Sequence, residues 1–346
     1  MPDDRFWVFS ICTPYGDVLV NIGNLEAHLP GKYLMKYDNR EYGLDTKNPP
    51  AGFVGLIKFP MAYGLSNMRI LTSRTNEDLA AIWALQAGFS VEAQDRPGNP
   101  VAPALNFSMF RSQEYLPGVN QTFEEAVLKV AAKIAAYNPP YVTGDRLWVK
   151  TKLAKAGFKN DEFIQPKGSD IGLAVASANE TVEQFTAKPG VLHDVGNGWV
   201  IHDHQYIGLY NSNYEMRYQV ASYLYLGLAD DQCVYPSRAE EISVDQGKSI
   251  LFTFAAVPKI KEGGFWSLTA YGPDQDLIEN DLNRYSLGDR DALTFPDGSL
   301  VSDGEGSFQV LLQATDIEPP ANWTSNWLPI TAGGSNITVT LRWAEV

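Results

Sequence analysis

The segment Phe265-Trp-Ser-Leu-Thr-Ala-Tyr-Gly-Pro-Asp-Gln-Asp-Leu-Ile-Glu-Asn280 decides the fold class of this chain. Its first seven residues include Phe, Trp, Thr and Tyr, which favour strands, and a Gly/Pro/Asp-rich turn follows them. Three other segments in the C-terminal third have the same character, at residues 249–254, 308–312 and 337–342. This part of the chain is therefore predicted to form β-sheet.

The N-terminal part has the composition of strands as well. Residues 6–12 and 17–22 are rich in β-branched and aromatic side chains, and Thr13-Pro-Tyr-Gly16 between them is a turn sequence. Further strands are predicted over residues 32–37, 52–58 and 67–71.

The middle of the chain carries helix signals. Residues 75–78 and 122–125 have the spacing of capping boxes, in which a hydroxyl and a carboxylate satisfy backbone N–H groups at a helix start. Apolar residues at helical spacing follow the second box, and Pro139-Pro140 ends that run. We expect Asp145 to cap a third helix that ends near Gly157, and residues 214–228 to be helical, whereas residues 160–190 show no clear pattern.

The order of these elements, strands followed by helices and strands again, predicts a mainly β (α+β) fold. We expect two β-sandwich or jelly-roll domains, at residues 1–120 and 191–346, with a helical insertion at residues 121–190. The same order argues against a doubly wound sheet, because strands and helices do not alternate.

The sequence resembles two families that occur as a pair. Residues 265–280 continue into Asn283-Arg-Tyr-Ser-Leu-Gly-Asp289, and together they resemble the signature of domain-of-unknown-function family 1214. Arg5-Phe-Trp7 and Pro14-Tyr-Gly-Asp17 resemble family 1254, in which earlier strands usually precede the first of these motifs. We therefore expect a truncated or processed chain, or strands that are supplied separately. The resemblance implies a fold and leaves the activity to be argued from a site.

Composition and motifs exclude several functions. The net charge of −14, without a basic patch, disfavours binding to nucleic acid. No apolar run approaches the roughly 18 residues that a membrane helix needs. The sequence has no Gly-x-Gly-x-x-Gly, phosphate loop, Gly-x-Ser-x-Gly or His-Glu-x-x-His motif, so we predict no cofactor and no nucleotide, serine-hydrolase or zinc-protease chemistry.

Five N-glycosylation sequons point to a secretory route, since chance predicts roughly two. Their acceptors are Asn106, Asn120, Asn179, Asn322 and Asn336. We expect a secreted protein. Residues 1–10 lack the apolar core of a signal peptide, so its leader would have been removed or would lie outside this sequence. Cys12 and Cys233 are expected to be buried free thiols, with one bridge between domains as the alternative.

His202-Asp203-His204 is the first candidate site. On a strand, the two histidines would point to one face at a spacing that suits a metal, but no third ligand can be named, so no metal is predicted. A neutral His202 held by Asp203 could act as an acid or base. The alternative is that both histidines, with Tyr206, line a pocket or lie on the surface.

Arg284 and Tyr285 are the second candidate site. A guanidinium and a phenol can stabilise a developing oxyanion or polarise a carbonyl oxygen. Alternatively, Arg284 pairs with Asp289 or Asp291 and Tyr285 packs in the core. The residues expected to bind a substrate beside this pair are Trp266, Tyr271, Asn283, His204, Tyr206 and Trp327.

Two functions follow from an aromatic-rich chain with 17 Tyr, 16 Phe and 8 Trp. The first is a secreted, cofactor-free enzyme that acts on a small apolar polyketide- or terpenoid-like molecule. It would catalyse a cyclisation, an isomerisation, a dehydration or a pericyclic addition such as a hetero-Diels–Alder reaction. Its catalytic residues would be His202, Arg284 and Tyr285. The second is a secreted carbohydrate-binding or structural β-sandwich, with Trp323 and Trp327 as stacking platforms. The first is preferred because two domains can enclose a pocket, and a homo-oligomer is a further expectation.

Overall fold

A computed structural model describes residues 5–73, 75–95, 97–119, 121–261 and 263–344. The strands are β1 (Trp7–Cys12), β2 (Val18–Gly23), β3 (Tyr33–Tyr37), β4 (Gly43–Asp45), β5 (Gly55–Phe59), β6 (Leu65–Ile70), β7 (Phe158–Lys159), β8 (Glu162–Phe163), β9 (Leu192–Gly196), β10 (Trp199–His202), β11 (Cys233–Val234), β12 (Ser237–Arg238), β13 (Ile242–Val244), β14 (Ser249–Phe254), β15 (Phe265–Tyr271), β16 (Ser286–Gly288), β17 (Phe308–Ala314), β18 (Trp327–Ile330) and β19 (Ser335–Ala344). The α-helices are α1 (Asn76–Ala87), α2 (Phe123–Ala135), α3 (Arg146–Lys155), α4 (Ile171–Thr186) and α5 (Tyr214–Tyr223). Short 3-10 helices span Phe107–Arg111, Thr143–Asp145, His204–Tyr206, Val301–Asp303 and Ala321–Asn326.

The C-terminal region is a sandwich of two sheets. The larger sheet has the strand order β16-β15-β19-β12-β10-β9, and β11 and β13 also pair with β19. The smaller sheet has the order β14-β17-β18, with β17 parallel to β18. Strands from both sheets contribute to one buried apolar cluster, which includes Leu268, Phe308, Leu312, Leu328 and Val339. The prediction of a mainly β, α+β fold is confirmed.

Alternation along β15 sets the two faces of the larger sheet, because successive side chains of a strand point to opposite sides. Trp266, Leu268 and Ala270 belong to the buried cluster. Ser267 and Tyr271, which alternate with them, are partly exposed. The outer face of this sheet therefore carries polar side chains.

The N-terminal region contains two small sheets, with the orders β2-β1-β6 and β3-β5-β4. Ile11, Leu19 and Ile22 of the first sheet pack in one cluster with Ile57 and Phe59 of the second. A separate cluster joins this region to the sandwich, and its buried members are Phe6, Val8, Leu228, Cys233 and Ala344. The boundaries proposed at residues 120 and 190 stay a prediction.

A buried carboxylate ties the β1–β2 turn to the helical region. Asp17 is fully buried, and its Oδ2 lies 2.9 Å from Nε of Arg217. The same carboxylate accepts hydrogen bonds from the Tyr141 hydroxyl (2.9 Å), the Tyr210 backbone N–H (3.1 Å) and the Thr13 hydroxyl (3.1 Å). Such a group is well satisfied, which is the condition for keeping a charge in the interior.

The helix starts agree only partly with expectation. At α2, the reciprocal bonds between Thr122 and Glu125 form a capping box. At α1, Thr75 caps the helix, but the Asp78 carboxylate binds Arg5 at 2.7 Å instead of closing a box. Asp145 precedes α3 without a side-chain cap, because its carboxylate accepts from the Tyr214 hydroxyl at 3.0 Å.

Two helical stretches differ from the prediction. Residues 160–190, which showed no clear pattern, contain α4, and the Asp170 side chain caps its start by accepting from the Leu173 N–H. Helix α5 ends at Tyr223, five residues before the predicted end, and Leu226 just beyond it has a φ of 61°. None of the helices that the structure describes is both long and apolar enough to cross a bilayer.

Both cysteines are free and buried, as favoured from the sequence. Burial raises the pKa of each thiol to about 11, so neither is a reactive thiolate at neutral pH.

Candidate functional site

A groove lies on the outer, polar face of the larger sheet. It has a volume of about 420 Å³ and is open to solvent on one side. The side chains that line it come from β15, β16, β19 and the loop after β15, and they are Ser267, Thr269, Tyr271, Gln275, Asp276, Leu277, Tyr285, Ser286 and Arg342. Its volume is within the range of about 300–1,000 Å³ that is typical of small-molecule sites.

Antiparallel pairing brings the groove residues together from distant parts of the chain. Ser267 of β15 lies opposite Arg342 of β19, and Thr269 lies opposite Ser286 of β16. Residues that pair directly across an antiparallel sheet point to the same face. The polar residues of three strands therefore form one surface.

The Arg342 guanidinium is held against the floor of the groove. Its Nη1 donates to the Thr269 hydroxyl at 2.5 Å, and its Nη2 donates to the Tyr271 hydroxyl. The same guanidinium lies 5.6 Å from the centre of the Tyr271 ring. Among the described residues, no carboxylate lies within ion-pair distance of Arg342. The groove thus contains a positive charge that is positioned by neutral partners.

Two tyrosines give the groove its aromatic surfaces. Tyr271 and Tyr285 both line it and both are partly exposed. The Tyr285 hydroxyl donates to Oδ1 of Asn283 at 3.3 Å, so Asn283 orients the ring from outside the lining. The sequence predicted Tyr285 as a catalytic residue and Tyr271 and Asn283 as substrate-binding residues, and the structure places the three near one another.

The loop after β15 closes one side of the groove. Gln275 has a φ of 65°, and its Oε1 accepts from the Thr338 hydroxyl of β19 at 3.1 Å. Asp276 and Leu277 follow at the exposed rim. This anchoring to β19 fixes the loop over the sheet face.

His202 lies at a different cavity. That cavity has a volume of about 20 Å³, enough for roughly one water molecule, and Tyr206, Tyr210 and Tyr235 also line it. Nε2 of His202 is buried and has no hydrogen-bond partner among the described residues. Burial lowers the pKa of His202 from 6.5 to about 4, so the imidazole is neutral at pH 7.

The strand expected through residues 202–204 is wrong. Strand β10 ends at His202, because the Asp203 side chain caps a 3-10 helix over residues 204–206. Asp203 does not hold His202; its carboxylate contacts His193 at 2.8 Å and His204 at 3.3 Å. The His204 side chain is 81% exposed. No set of three His, Cys, Asp or Glu side chains in the described ranges could hold a metal.

Arg284 has a structural environment. Its Nη1 donates to the backbone carbonyls of Thr324 at 2.7 Å and Trp327 at 2.9 Å. The expected pairing with Asp289 does not form, since that carboxylate binds Arg290 at 2.8 Å. Arg284 therefore ties the loop before β16 to the start of β18.

Three of the expected aromatic contacts with a substrate lie away from the groove. Trp266 is 2% exposed, because it points to the inner face of β15 and packs near Phe254 and Phe308. Trp327 is also buried, and its indole N–H donates to the Gln313 carbonyl at 3.0 Å. Tyr206 packs edge-on against Phe185, with the ring centres 5.6 Å apart.

Four of the five sequon asparagines, Asn106, Asn179, Asn322 and Asn336, are exposed, and Asn120 lies outside the described residues. Asn179 lies within α4, where its side chain accepts from the Tyr218 hydroxyl at 2.9 Å. Glycosylation and secretion stay predictions.

The groove contains residues that the motif search missed. Arg342, Thr269 and Gln275 lie outside the candidate sites chosen from the sequence. The alternation along β15 was a usable signal for Thr269, since it marks which residues share a face with Tyr271. No sequence pattern marked Arg342 as a groove residue, because only the pairing register between β19 and β15 brings it into the groove.

Two family models match separate parts of the chain. Residues 1–93 match the family described as "Protein of unknown function (DUF1254)", and residues 237–345 match "Protein of unknown function (DUF1214)". The two matches stand in the N-terminal and C-terminal order that the sequence predicted. It is similar in fold to the crystal structure of the VPA0106 protein from Vibrio parahaemolyticus, at 15% identity and a TM-score of 0.56, with 99% of this chain and 79% of that chain covered. No curated protein matches the chain.

The protonation of His202 predicts a pH dependence of stability. The pKa is lower in the folded state, so the unfolded state takes up the proton first as the pH falls. Stability from this group is complete above pH 6.5 and is lost between pH 6.5 and about 4, by at most about 3 kcal/mol. Urea unfolding at pH 7 and pH 4.5 should show a smaller loss for His202→Phe than for the wild type. The exposed control His204→Gln should behave as the wild type, and an equal loss in all three proteins would contradict the assignment.

Proposed function

We propose that the chain is a binding protein whose groove on the outer sheet face accepts a small hydroxylated molecule of the saccharide class. The observation that carries this proposal is the lining of the groove: three aliphatic hydroxyls, two phenols, a carboxamide, a carboxylate and a guanidinium on one open surface. Hydroxyl groups both donate and accept hydrogen bonds, so they complement a ligand that does the same.

The polarity of the groove favours this ligand over an apolar one. An apolar molecule would cover the polar side chains of the groove without offering them hydrogen-bond partners in place of water, which is costly. A sugar ring replaces those bonds. Its C–H face can also pack on the rings of Tyr271 and Tyr285, which combine an apolar face with a polar tip.

The prediction of a cofactor-free enzyme for an apolar molecule stays a prediction, and the geometry gives it less support. It needs His202, Arg284 and Tyr285 around one enclosed space. His202 lines the cavity of about 20 Å³, Tyr285 lines the groove, and Arg284 lines neither. A structural role and a homo-oligomer likewise stay predictions.

Thermal unfolding in the presence of two ligand panels tests the proposal. A ligand that binds only the folded state raises stability by RT ln(1 + [L]/Kd), which is about 2.7 kcal/mol at 100 times Kd. We expect a rise in Tm with members of a panel of mono- and oligosaccharides and none with a panel of polyketide- and terpenoid-like compounds. Stabilisation by the second panel alone would overturn the proposal and favour the enzyme hypothesis.

Replacing Tyr285 with alanine should weaken binding of any saccharide found in this way by about fivefold. It removes one aromatic surface of the groove, and each such contact contributes about 1 kcal/mol. Isothermal titration calorimetry measures the change. Tyr223→Ala is the matched control, since Tyr223 is a 59% exposed tyrosine on α5 outside the groove lining. Equal affinities for the two variants would place the ligand elsewhere.

A further inference from the structure

We infer that the ligand of this groove carries a carboxylate beside its hydroxyls, as a sugar acid such as a hexuronate does. This inference rests on the proposed function and specifies the ligand class. Its basis is the state of Arg342, whose charge lies on the floor of the groove and is held there by neutral hydroxyls.

The partners of Arg342 differ from those of the other described arginines. Arg69, Arg146, Arg238 and Arg284 also lack a carboxylate partner among the described residues, but each donates to backbone carbonyl oxygens. The chain has 41 acidic and 27 basic residues, so carboxylates are abundant partners. Arg5, Arg217 and Arg290 each have a carboxylate within 3 Å. Within the described residues Arg342 has none, and its contacts are with Thr269 and Tyr271. Its charge is therefore left for a group that is not part of this sheet.

The geometry also leaves donors for that group. A guanidinium has five N–H donors in a planar fork. Thr269 and Tyr271 each accept one of them, and both hydroxyls keep their own proton for donation. Partners that hold the planar group in place reduce the freedom it would lose on binding. A ligand carboxylate here would accept charge-assisted hydrogen bonds, which are about twice as strong as neutral ones.

The rest of the lining selects the remainder of the ligand. The rim carboxylate of Asp276 can accept bonds from ligand hydroxyls, whereas a ligand with several negative charges would be repelled by it. Ser267 and Ser286 extend the hydroxyl surface on β15 and β16. One carboxylate with neighbouring hydroxyls matches this distribution of charge.

Matched pairs of hexuronates and their methyl esters test the inference, because esterification removes the charge and keeps the sugar ring with its hydroxyls. We expect glucuronate, galacturonate, mannuronate or guluronate, as a mono- or disaccharide, to bind about tenfold more tightly than its ester. Hydrogen bonds between two charged groups are stronger than neutral ones, and solvent in the open groove screens part of this gain. The preference for the acid over its ester should shrink as the NaCl concentration rises from 20 to 500 mM. This measurement uses the wild-type protein alone.

Variants of Arg342 locate the effect. Arg342→Gln should abolish the preference for the acid, and Arg342→Lys should retain part of it, because it keeps the charge. Arg40→Gln, at an exposed arginine outside the groove, should leave the preference unchanged. Circular dichroism and Tm establish that each variant is folded.

The outcomes separate the two proposals. Binding of neutral saccharides with equal or lower affinity for the acids would overturn this inference and leave the proposed function standing. A preference for the acid that persists in Arg342→Gln would also overturn it. If neither acids nor neutral saccharides stabilise the protein, both proposals fail.

Discussion

Replacing Asp17 with asparagine should lower the free energy of unfolding by about 3–5 kcal/mol, the range found when one partner of a buried ion pair is removed. The substitution keeps the size of the side chain, so the loss measures charge and hydrogen bonding and not a cavity. Asp17 is fully buried, and Arg217 binds it through two nitrogens, at 2.9 and 3.2 Å. An asparagine would leave that guanidinium without its counter-charge.

The effect should extend beyond the ion pair. The Tyr141 hydroxyl donates to Asp17 and accepts from the Asn211 N–H at 2.7 Å. Burial and the Asp17 carboxylate raise the pKa of Tyr141, so this phenol stays protonated and remains a donor. Loss of the acceptor would disturb contacts that join the β1–β2 turn to residues near 141 and 211.

Urea unfolding of Asp17→Asn beside Asp281→Asn gives the measurement. Asp281 is exposed, so its substitution should change stability by less than about 0.5 kcal/mol. A loss below about 1 kcal/mol for Asp17→Asn would mean that the network is not a major source of stability.

Replacing Phe308 with alanine should cost about 3–5 kcal/mol, since large aromatic truncations in a core lose buried area and leave a cavity. Phe308 is 0% exposed and belongs to the cluster between the two sheets of the sandwich. Its ring stacks on Phe254 at 4.6 Å with an interplanar angle of 8°, and Trp266 lies 5.9 Å away. Both sheets would lose contacts at once.

The same substitution at an exposed site provides the control. Phe107 is 77% exposed, and Phe107→Ala should cost less than about 1 kcal/mol. Differential scanning calorimetry or denaturant unfolding compares the two variants with the wild type. Similar losses for both would contradict the central position of Phe308.

The sequence predicted the long strands and most of the helices, and it missed the short strands, for a physical reason. Aromatic and β-branched runs such as residues 249–254 and 265–271 were recognised because their composition matches a sheet with one buried face. Helix α4 was missed although Ile171, Val175, Ala178, Val182 and Phe185 recur at helical spacing, and only Phe185 on that face is fully buried. Strand β4 was missed because three residues, Gly43–Asp45, carry almost no pattern.

The site was harder to predict because it depends on pairing between distant segments. Tyr271 and Arg342 meet only through the β15–β19 register, and residue composition does not encode that register. Trp266 and Tyr271 were both predicted to bind the substrate. They are five residues apart on one strand, and an odd separation on a strand puts two side chains on opposite faces of the sheet. The aromatic content therefore indicated a site without locating it.

Strand β19 pairs with β15, β11, β12 and β13, and its residue Ala344 also belongs to the cluster that joins the N-terminal region to the sandwich. During synthesis on the ribosome, these earlier strands emerge while their common partner is still untranslated. Until residues 335–344 leave the exit tunnel, the edges of the earlier strands are open to pairing with other chains, which is a known route to aggregation. We expect nascent chains halted before residue 335 to depend on chaperones, and to become compact once residues 335–344 have left the tunnel.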